Sequence, residues 1–370
     1  MRILTLNFEF PPLGGGASPV SYEIAKRLVD MGNEVDLITM SYRDLPRQET
    51  IDGINVIRVP SLRKHKSHSS PHEHLSFILN AKKFLKRYLK ENQYHICHTH
   101  FLIPTGILAE WIYRKFGLDY IITMHGSDVP GYNSDRFKFI HKFTGPILRK
   151  IARSAQAITS PSKFLLDLAQ ENIGPFNYVH IPNGIDLDLF GVDPNKEKKK
   201  MILTATRLVE RKGVQTIINA VKDIDLDYEV HIAGDGPFKT KLEELAMGSK
   251  TKIVFHGWVE KGSQDMKRLY EEAAIFALPS AIENASISLL EGMAAKCAVI
   301  TSNRTGCPET VGATGLTMDF DDRETLQEYF IDLSQNAEKV KTLGEQGYSR
   351  LTENFLWDNI IDSYLKVFKD

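Results

Sequence analysis

The chain has 370 residues, of which 42% are hydrophobic and 25% charged, a composition typical of a soluble globular protein with room for two domains. Its net charge of −1 gives no sign of a nucleic-acid partner, and no apolar run approaches the roughly 20 residues of a membrane-spanning helix. The three cysteines are far apart and form no CxxC pair, which indicates a reduced, cytosolic setting rather than a disulfide framework.

Strand-like and helix-like segments alternate along the chain. The first strand, "RILTLNF", leads through a glycine-rich loop into a helix predicted over residues 18–32. The pattern starts again after "VHIPNGID", and the polar segment 191–200 between the two halves is the predicted linker. This alternation predicts an α/β protein with two parallel sheets. Further strands are predicted in "NEVDLITM", "YHICHTHF", "DYIITMHG", "AQAITSPS", "KMILTATRLVERKG", "YEVHIAGDGP", "TKIVFHGWV", "AIFALPS" and "AVITSN".

Charge is distributed unevenly between the two halves. Residues 1–180 carry 23 Lys and Arg against 16 Asp and Glu, whereas residues 181–370 carry 23 against 31. The segment 135–153 interleaves basic residues with Phe, Ile and Leu, as do helices that lie on anionic bilayers. Alternatively, its apolar side packs on the first domain. The basic first half indicates an anionic surface, such as a membrane, as a partner of that half.

Ligands of parallel α/β sheets bind at the carboxyl ends of the strands. Polar and glycine residues follow the predicted strands in both halves, which predicts a cleft between two domains. In the first half these residues are Gly14, Gly15, Gly16, His98, His100, His125, Asp128 and Ser160. In the second half they are Arg207, Lys212, "GDGP" at 234–237, "HGWV" at 256–259, Glu283 and Glu291.

The glycine loop at 14–16 joins a strand to a helix, where backbone N–H groups can approach a phosphate. It matches neither GxGxxG nor GxxxxGK[ST], so it supports neither a dinucleotide site nor a nucleotide-triphosphate loop. A flexible connection is the alternative. Arg207 follows a strand and Lys212 begins the next helix, where a cation is unfavourable unless an anion binds. The two could stabilise a diphosphate, or they could be solvated side chains.

An ordered set of motifs resembles the retaining nucleotide-sugar glycosyltransferases of family 4. The motifs are "HIPNGID", "RLVERKG", "AGDGP", "FHGWV", "LPSAIENASISLLEGMAAKCAVIT" and "GCPETVG", with "PPLGGG", "HTHFLIPTG" and "TMHGSDVPGY" in the first half. The resemblance covers essentially the whole chain and implies the GT-B fold, two Rossmann-like β/α/β domains with parallel sheets facing across a cleft. It implies an acceptor-side domain at 1–182, a nucleotide-sugar-binding domain at 183–354, and a C-terminal helix at 355–370 that crosses back to the first domain.

The resemblance also implies roles for single residues. Arg207 and Lys212 would hold the diphosphate, Glu291 the ribose hydroxyls and Glu283 the sugar hydroxyls near the reacting carbon. His125 would approach the donor sugar from the first domain and would act in catalysis with Glu283, Arg207 and Lys212. The remaining implied donor-binding residues are Gly15, Gly16, Gly234, Trp258, Val259, Ser286, Ile287 and Ser288, and the acceptor-side residues are Gly14, His100 and Asp128.

These expectations define a metal-independent hexosyltransferase. The donor would be a UDP- or GDP-sugar, and the acceptor a glycan or a lipid-linked glycan in cell-envelope polysaccharide, lipopolysaccharide or glycolipid synthesis. No cofactor is expected to be required, because the Asp-x-Asp string at 186–188 falls in the "NGID" loop and the one at 225–227 in the charged connection "KDIDLDYE". We expect a cytoplasmic protein, with peripheral attachment to the inner face of the cytoplasmic membrane. Asn284 follows Glu283 where many members have Gly-Phe-Gly or Gly-Phe-Pro, which leaves the sugar preference open.

Two other functions remain as alternatives. A nucleotide-sugar epimerase of the same fold would act without an acceptor, and a non-catalytic sugar-nucleotide binding protein would have lost contacts that are all present here. The segment "ENASISLLEG" poses a separate question, because Ser288 and Glu291 fit a capping box in which Glu291 would only cap the helix. If Ser286 is the N-cap instead, Glu291 lies one turn into the helix and can face a ligand. We favour this second register.

Overall fold

The computed structural model describes residues 1–66, 68–132 and 138–369, apart from the side chains of residues 138–143. The chain divides into two compact units. The first comprises Met1–Pro182 together with the residues from Asp358 onward, and the second comprises Asn183–Trp357. No helix within the described ranges is long and apolar enough to span a bilayer.

The first unit contains an eight-stranded sheet with the order β3-β4-β2-β1-β5-β6-β7-β8. All neighbours are parallel except β3 and β4, which form a hairpin around Asp52 and Gly53. That hairpin was absent from the predicted strands, although Asp-Gly between β-branched runs is a hairpin signal. The strands are β1 (Arg2–Leu6), β2 (Glu34–Met40), β3 (Gln48–Ile51), β4 (Ile54–Val59), β5 (Ile96–His100), β6 (Tyr120–Thr123), β7 (Ala157–Ser160) and β8 (Tyr178–His180).

Five helices of the first unit precede its last strand, and each buries an apolar face on the sheet or on a neighbouring helix. The longest begins with a capping box, because the side chain of Glu73 accepts a hydrogen bond from Ser70 N at 2.8 Å. The helices are α1 (Ala17–Asp30), α2 (Pro71–Glu91), α3 (Thr105–Phe116), α4 (Lys138–Ser154) and α5 (Lys163–Asn172).

The second unit contains a fully parallel sheet with the order β11-β10-β9-β12-β13-β14. The sequence predicts five of these strands, and the one it misses, β14, has only three residues. The strands are β9 (Lys199–Ala205), β10 (Glu229–Ala233), β11 (Ile253–Gly257), β12 (Ala273–Leu278), β13 (Ala298–Ser302) and β14 (Leu316–Met318). The helices are α6 (Leu187–Phe190), α7 (Val214–Val221), α8 (Lys239–Ala246), α9 (Gln264–Glu272), α10 (Ile287–Ala294), α11 (Cys307–Val311), α12 (Arg323–Gln335) and α13 (Ala337–Asn354).

The last helix, α14 (Trp357–Lys369), belongs to the first unit from Asp358 onward. There the rings of Tyr364 and Phe368 lie against His98, with ring centroids 5.6 and 5.2 Å away. The carboxylate of Asp358 pairs with Arg27 of α1 at 2.9 Å. Packing and charge therefore both hold α14 on the first unit.

The segment 191–200, predicted to be the linker, lies inside the second unit, and the boundary between the units falls at Pro182 and Asn183. Its charged residues have partners there, since Lys196 pairs with Glu271 at 2.7 Å and Lys198 Nζ donates to the Glu271 carbonyl at 2.9 Å. A polar composition indicated a solvated segment, but the ion pairs that tie it to α9 depend on the tertiary structure.

Helix α10 lies very close to strand β12. A Cβ atom added at Gly292 would lie 2.8 Å from Cγ of Phe276, nearer than Cβ atoms approach other atoms in proteins. The neighbouring Glu291 is 7% exposed and the whole of β12 is buried, so this close approach decides where the Glu291 carboxylate lies. Glycine at position 292 is therefore a packing requirement.

Gly292→Ala should lower the free energy of unfolding by about 1–3 kcal/mol, because overpacking outweighs the gain in helix propensity. Gly347→Ala is the matched control, since its added Cβ would meet only Met293 Cγ at an ordinary 3.7 Å. The control should be neutral or slightly stabilising. Urea unfolding of both variants measures the difference, and equal stabilities would contradict the packing argument.

Candidate active site

The loop after β9 carries the two predicted cations of the second unit. Arg207 is exposed and has no ion-pair partner among the residues that the structure describes. Lys212 ends a 3₁₀ turn, Glu210–Lys212, and Gly213 follows in a left-handed conformation to begin α7. The Lys212 ammonium is mostly buried and pairs with the carboxylate of Glu283. Tertiary structure thus brings together a cation and an acid that are 71 positions apart in sequence.

Glycines allow the loops at this edge of the sheet to touch through their backbones. A Cβ at Gly234, in the turn after β10, would lie 1.9 Å from the carbonyl oxygen of Thr206. A Cβ at Gly213 would lie 2.0 Å from the carbonyl oxygen of Pro279, after β12. Backbone hydrogen bonds such as Leu208 N to Asp235 O, at 2.9 Å, close the same contact. The loops after β9, β10 and β12 therefore form one continuous surface.

Glu283 is fixed by three different contacts. Its backbone N–H donates to Thr305 Oγ1 at 2.9 Å, its carbonyl accepts from Gly306 N at 2.9 Å, and its carboxylate pairs with Lys212. Only 9% of the residue is exposed. A carboxylate this buried needs a partner, because moving an unpaired ion from water into the protein interior costs roughly several kcal/mol.

The register of α10 answers the question about Glu291. Ser286 is the N-cap, so Ser288 is the second helical residue and Glu291 the fifth, and the capping box between them does not form. No side chain caps the first turn of α10, which begins at Ile287. The Glu291 carboxylate instead accepts from the Tyr270 hydroxyl at 2.8 Å and pairs with Lys261 at 2.9 Å.

The other predicted residues of the second unit are dispersed around this group. Trp258 follows β11 and is 73% exposed, while Val259 packs on the core beneath. Two aspartates of the Asp-x-Asp strings have structural contacts. Asp186 caps α6 by accepting a hydrogen bond from Leu189 N, and Asp227 pairs with Lys200. Within the described ranges, no three His, Cys, Asp or Glu side chains are grouped closely enough to hold a metal ion.

In the first unit, Gly16 is the N-cap of α1 and the glycine loop is tied to a carboxyl group that the prediction omitted. Gly15 N–H donates to Glu9 Oε2 at 3.2 Å, and a Cβ at Gly14 (φ 105°) would lie 2.6 Å from Cβ of Glu9. Gly14 N also donates to the carbonyl of Lys66 at 2.8 Å. Burial raises the pKa of Glu9.

Three histidines cluster where β5 and β6 end. The Nδ1 of His100 and the Nε2 of His125 are 3.0 Å apart, and Nε2 of His98 is 2.8 Å from Thr123 Oγ1. His98 and His100 are fully buried, and His125 is half-buried. Burial lowers the pKa of His98 and of His125 to about 3, and the pKa of His100 well below its usual value. All three imidazoles are therefore neutral at physiological pH.

Asp128 is placed beside this cluster, but its carboxylate is occupied by backbone groups. Its oxygens accept from Leu102 N at 2.9 Å, Gly126 N at 3.0 Å and His125 N at 3.2 Å. Burial raises the pKa of Asp128, while these hydrogen bonds oppose the shift. Through these hydrogen bonds, Asp128 holds the loop that carries His125.

Sequence reasoning missed several residues that complete these groups: Glu9, Lys261, Tyr270 and Thr305. Glu9 follows the first strand directly, so its position was a usable signal. Tyr270 lies within a short helix and has the pattern of a core residue, and Thr305 is one of many loop threonines. Only the tertiary contacts distinguish them.

Comparisons with known proteins agree on one family. The family model described as Glycosyltransferase Family 4 matches residues 14–189, and the model described as Glycosyl transferases group 1 matches residues 188–350. An uncharacterized glycosyltransferase of Methanocaldococcus jannaschii is 30% identical over 335 residues, covering 84% of this chain and 83% of the relative.

Two further relatives share the whole length. The GDP-mannose-dependent alpha-(1-6)-phosphatidylinositol monomannoside mannosyltransferase of Mycobacterium tuberculosis is 23% identical, covering 97% of this chain and 96% of the relative. The structure of HepE from Anabaena, solved in complex with UDP and glucose, aligns with a TM-score of 0.78 at 15% identity. That alignment covers 100% of both chains and shows a shared fold.

The buried histidines make a prediction about pH. Below about pH 6.5 the unfolded chain binds protons on His98 and His100 that the folded unit does not, so stability falls as the pH falls from 6.5 toward 3. His98→Phe should therefore reduce the slope of unfolding free energy against pH by about 1 kcal/mol per pH unit on average between pH 7 and pH 5. Urea unfolding between pH 7 and pH 5 measures this slope.

Phe77→Leu is the control for that experiment, because it perturbs the same core and removes no titrating group. It should lower the free energy of unfolding by a constant amount at every pH. A wild-type slope that survives His98→Phe unchanged would show that His98 is protonated equally in the folded and unfolded states.

Proposed function

The chain belongs to glycosyltransferase family 4 and has the GT-B fold. On this premise we propose that it moves a sugar from a nucleoside diphosphate to a glycan or lipid-linked acceptor, with retention of the anomeric configuration. The observation that carries the proposal is the buried pair of Lys212 and Glu283, three residues before the uncapped first turn of α10. A cation, a carboxylate and a helix amino end together suit a sugar joined to a phosphate.

The departing diphosphate is the first requirement of the reaction. Arg207 has no described anionic partner and is available to a nearby phosphate. Lys212, in the same loop, pairs with Glu283 and would share its charge between that carboxylate and the phosphate. The amino end of α10, which begins at Ile287 and has no side-chain cap, adds a positive partial charge. These groups support departure of the diphosphate without a metal ion.

The carboxylates then bind the two sugars of the donor. Glu283, held against Lys212, is placed for the hydroxyls of the transferred sugar, close to where its phosphate would lie. Glu291 is placed for the hydroxyls of the ribose, with Trp258 and Val259 on the adjoining edge for the base. Gly234 belongs to the same surface, since it permits the backbone contact between the loops.

The first unit would supply the remaining contacts. His125 is neutral and half-buried, so it can hydrogen-bond a sugar hydroxyl without adding charge. Gly15 and Gly16 would face the phosphates, whereas Gly14, His100 and Asp128 belong to the acceptor side. In the reaction, the bond between the anomeric carbon and the phosphate oxygen breaks as the bond to the acceptor oxygen forms. The acceptor hydroxyl's proton passes to the departing phosphate.

The donor nucleotide is proposed as UDP or GDP. The Mycobacterium tuberculosis relative is named for GDP-mannose, and HepE was solved with UDP and glucose. A thermal-shift panel of UDP-, GDP- and ADP-sugars identifies the base, and incubation without an acceptor tests for an epimerase. The proposed pathway is synthesis of a cell-envelope polysaccharide, lipopolysaccharide or glycolipid on the cytoplasmic side of the membrane.

Arg207→Ala should lower kcat/KM for sugar transfer by about 10²–10³-fold, because a charge that stabilises the departing diphosphate is removed. Glu283→Ala should cause a loss of similar size. Arg211→Ala is the matched control, since Arg211 is exposed in the same loop and has no place in the proposed site. Release of the nucleoside diphosphate measures all three, and unchanged activity in both site variants would refute the assignment.

We also propose that the basic first unit contacts an anionic membrane. The predicted segment 135–153 falls partly outside the described residues, which exclude Arg136, Phe137 and the side chains of 138–143. In its described part Leu148 and Ile151 are buried, and Lys150 pairs with Glu110 at 3.1 Å. This part of α4 therefore packs on the first unit, as in the alternative considered above.

Helix α2 offers a better-supported membrane surface. Leu75 and Leu79, one turn apart, are 57% and 60% exposed. Lys83 and Lys86 are exposed on the same side of the helix in the following turns. Exposed leucines next to lysines match the surface of an anionic bilayer, which accepts apolar side chains and attracts cations.

Lys83→Gln with Lys86→Gln should weaken binding to vesicles of phosphatidylcholine and phosphatidylglycerol roughly 30-fold, at about 1 kcal/mol per lysine. Co-sedimentation measures the binding, with vesicles of phosphatidylcholine alone as reference. Lys339→Gln with Lys341→Gln is the control, because these lysines are exposed on α13 of the second unit. Equal binding to vesicles with and without phosphatidylglycerol would contradict the proposed contact with an anionic membrane.

A further inference from the structure

The carboxylate of Glu291 is held by two groups of opposite character. Its Oε2 accepts a hydrogen bond from the Tyr270 hydroxyl at 2.8 Å, and its Oε1 pairs with Lys261 Nζ at 2.9 Å. Tyr270 is fully buried, whereas the Lys261 side chain is 63% exposed. The first contact is therefore shielded from water, and the second is exposed to solvent and to a ligand.

Tyr270 is itself held rigidly. Its ring stacks on Phe276 of β12 with centroids 5.6 Å apart and meets the edge of Phe190 at 5.3 Å. Burial and then the charge of Glu291 raise the pKa of Tyr270 well above its usual value, and the hydroxyl remains a donor.

We propose that Tyr270 is a positioning residue that fixes the Glu291 carboxylate for the ribose hydroxyls of the donor nucleotide, while Lys261 occupies the oxygen that the ribose takes. This inference rests on the proposed function, because it assumes that Glu291 binds ribose. A carboxylate oriented in advance loses less entropy on binding, and a carboxylate released from Tyr270 would have to be ordered by the ligand.

The test compares ribonucleotides with deoxyribonucleotides. Tyr270→Phe keeps the ring and removes only the hydroxyl that reaches Glu291. Calorimetric titration with UDP, 2′-deoxy-UDP and 3′-deoxy-UDP, and in parallel with GDP and 2′-deoxy-GDP, gives the affinity for each. The variant should bind the ribonucleotide roughly tenfold more weakly and the deoxynucleotides less than about twofold more weakly.

Tyr329→Phe is the matched control. It removes a tyrosine hydroxyl from the same unit, one that donates to the Thr317 carbonyl at 3.0 Å and does not touch Glu291. It should leave the ratio of ribonucleotide to deoxynucleotide affinity unchanged. Partial unfolding of Tyr270→Phe would weaken all the nucleotides by one factor, so the ratio reports on the folded site alone.

A double variant tests whether Tyr270 acts through Glu291. On the background of Glu291→Gln, adding Tyr270→Phe should cause no further loss of the ribonucleotide preference. Both changes act on the same interaction, the one between the Glu291 carboxylate and the ribose. A further loss of that preference in the double variant would overturn the proposal.

The outcomes separate the inference from the proposed function. If the wild type prefers ribonucleotides and Tyr270→Phe retains that preference, the positioning role is wrong and the transferase remains. If the wild type binds nucleotides without preferring ribose, Glu291 does not bind the ribose. The inference and the proposed role of Glu291 then fall together, and the transfer reaction remains. If neither UDP nor GDP binds, the proposed donor and the inference fail together.

Discussion

Two carboxylates, Glu283 and Glu291, are buried at the carboxyl edge of the second sheet, and the rest of the site depends on how they are partnered. A buried carboxylate is costly unless hydrogen bonds and an opposite charge replace water. Glu283 meets this need with Lys212 and a backbone anchored by Thr305, and Glu291 meets it with Tyr270 and Lys261. Both buried carboxylates are thus partnered within the second unit.

Glycines make this arrangement geometrically possible. At Gly213 and Gly234 any side chain would overlap a carbonyl oxygen, and at Gly292 it would overlap an aromatic ring. The loops after β9, β10 and β12 can therefore touch, and α10 can lie directly on β12. Close backbone approach is a constraint on the whole edge of the sheet, which explains why the glycines lie directly beside the charged residues.

The first unit solves the problem of burial differently. Its polar residues at the strand ends are histidines that stay neutral, and the one buried aspartate among them, Asp128, is satisfied by backbone N–H groups. This edge offers neutral hydrogen-bonding groups, whereas the edge of the second unit offers charges.

The sequence by itself determined the family, the α/β class and most of the parallel strands of the two sheets, since periodicity and motif order are local properties, whereas it left two registers for the start of α10. It did not reveal β3, β8 or β14, because short strands at sheet edges form through pairing rather than through their own pattern, and it also missed β4, which pairs with β3 in the hairpin. It also placed the linker at 191–200, where charged side chains find partners on α9. Only the tertiary structure decided that Lys212 meets Glu283 and that Tyr270 holds Glu291, because both contacts join residues more than 20 positions apart.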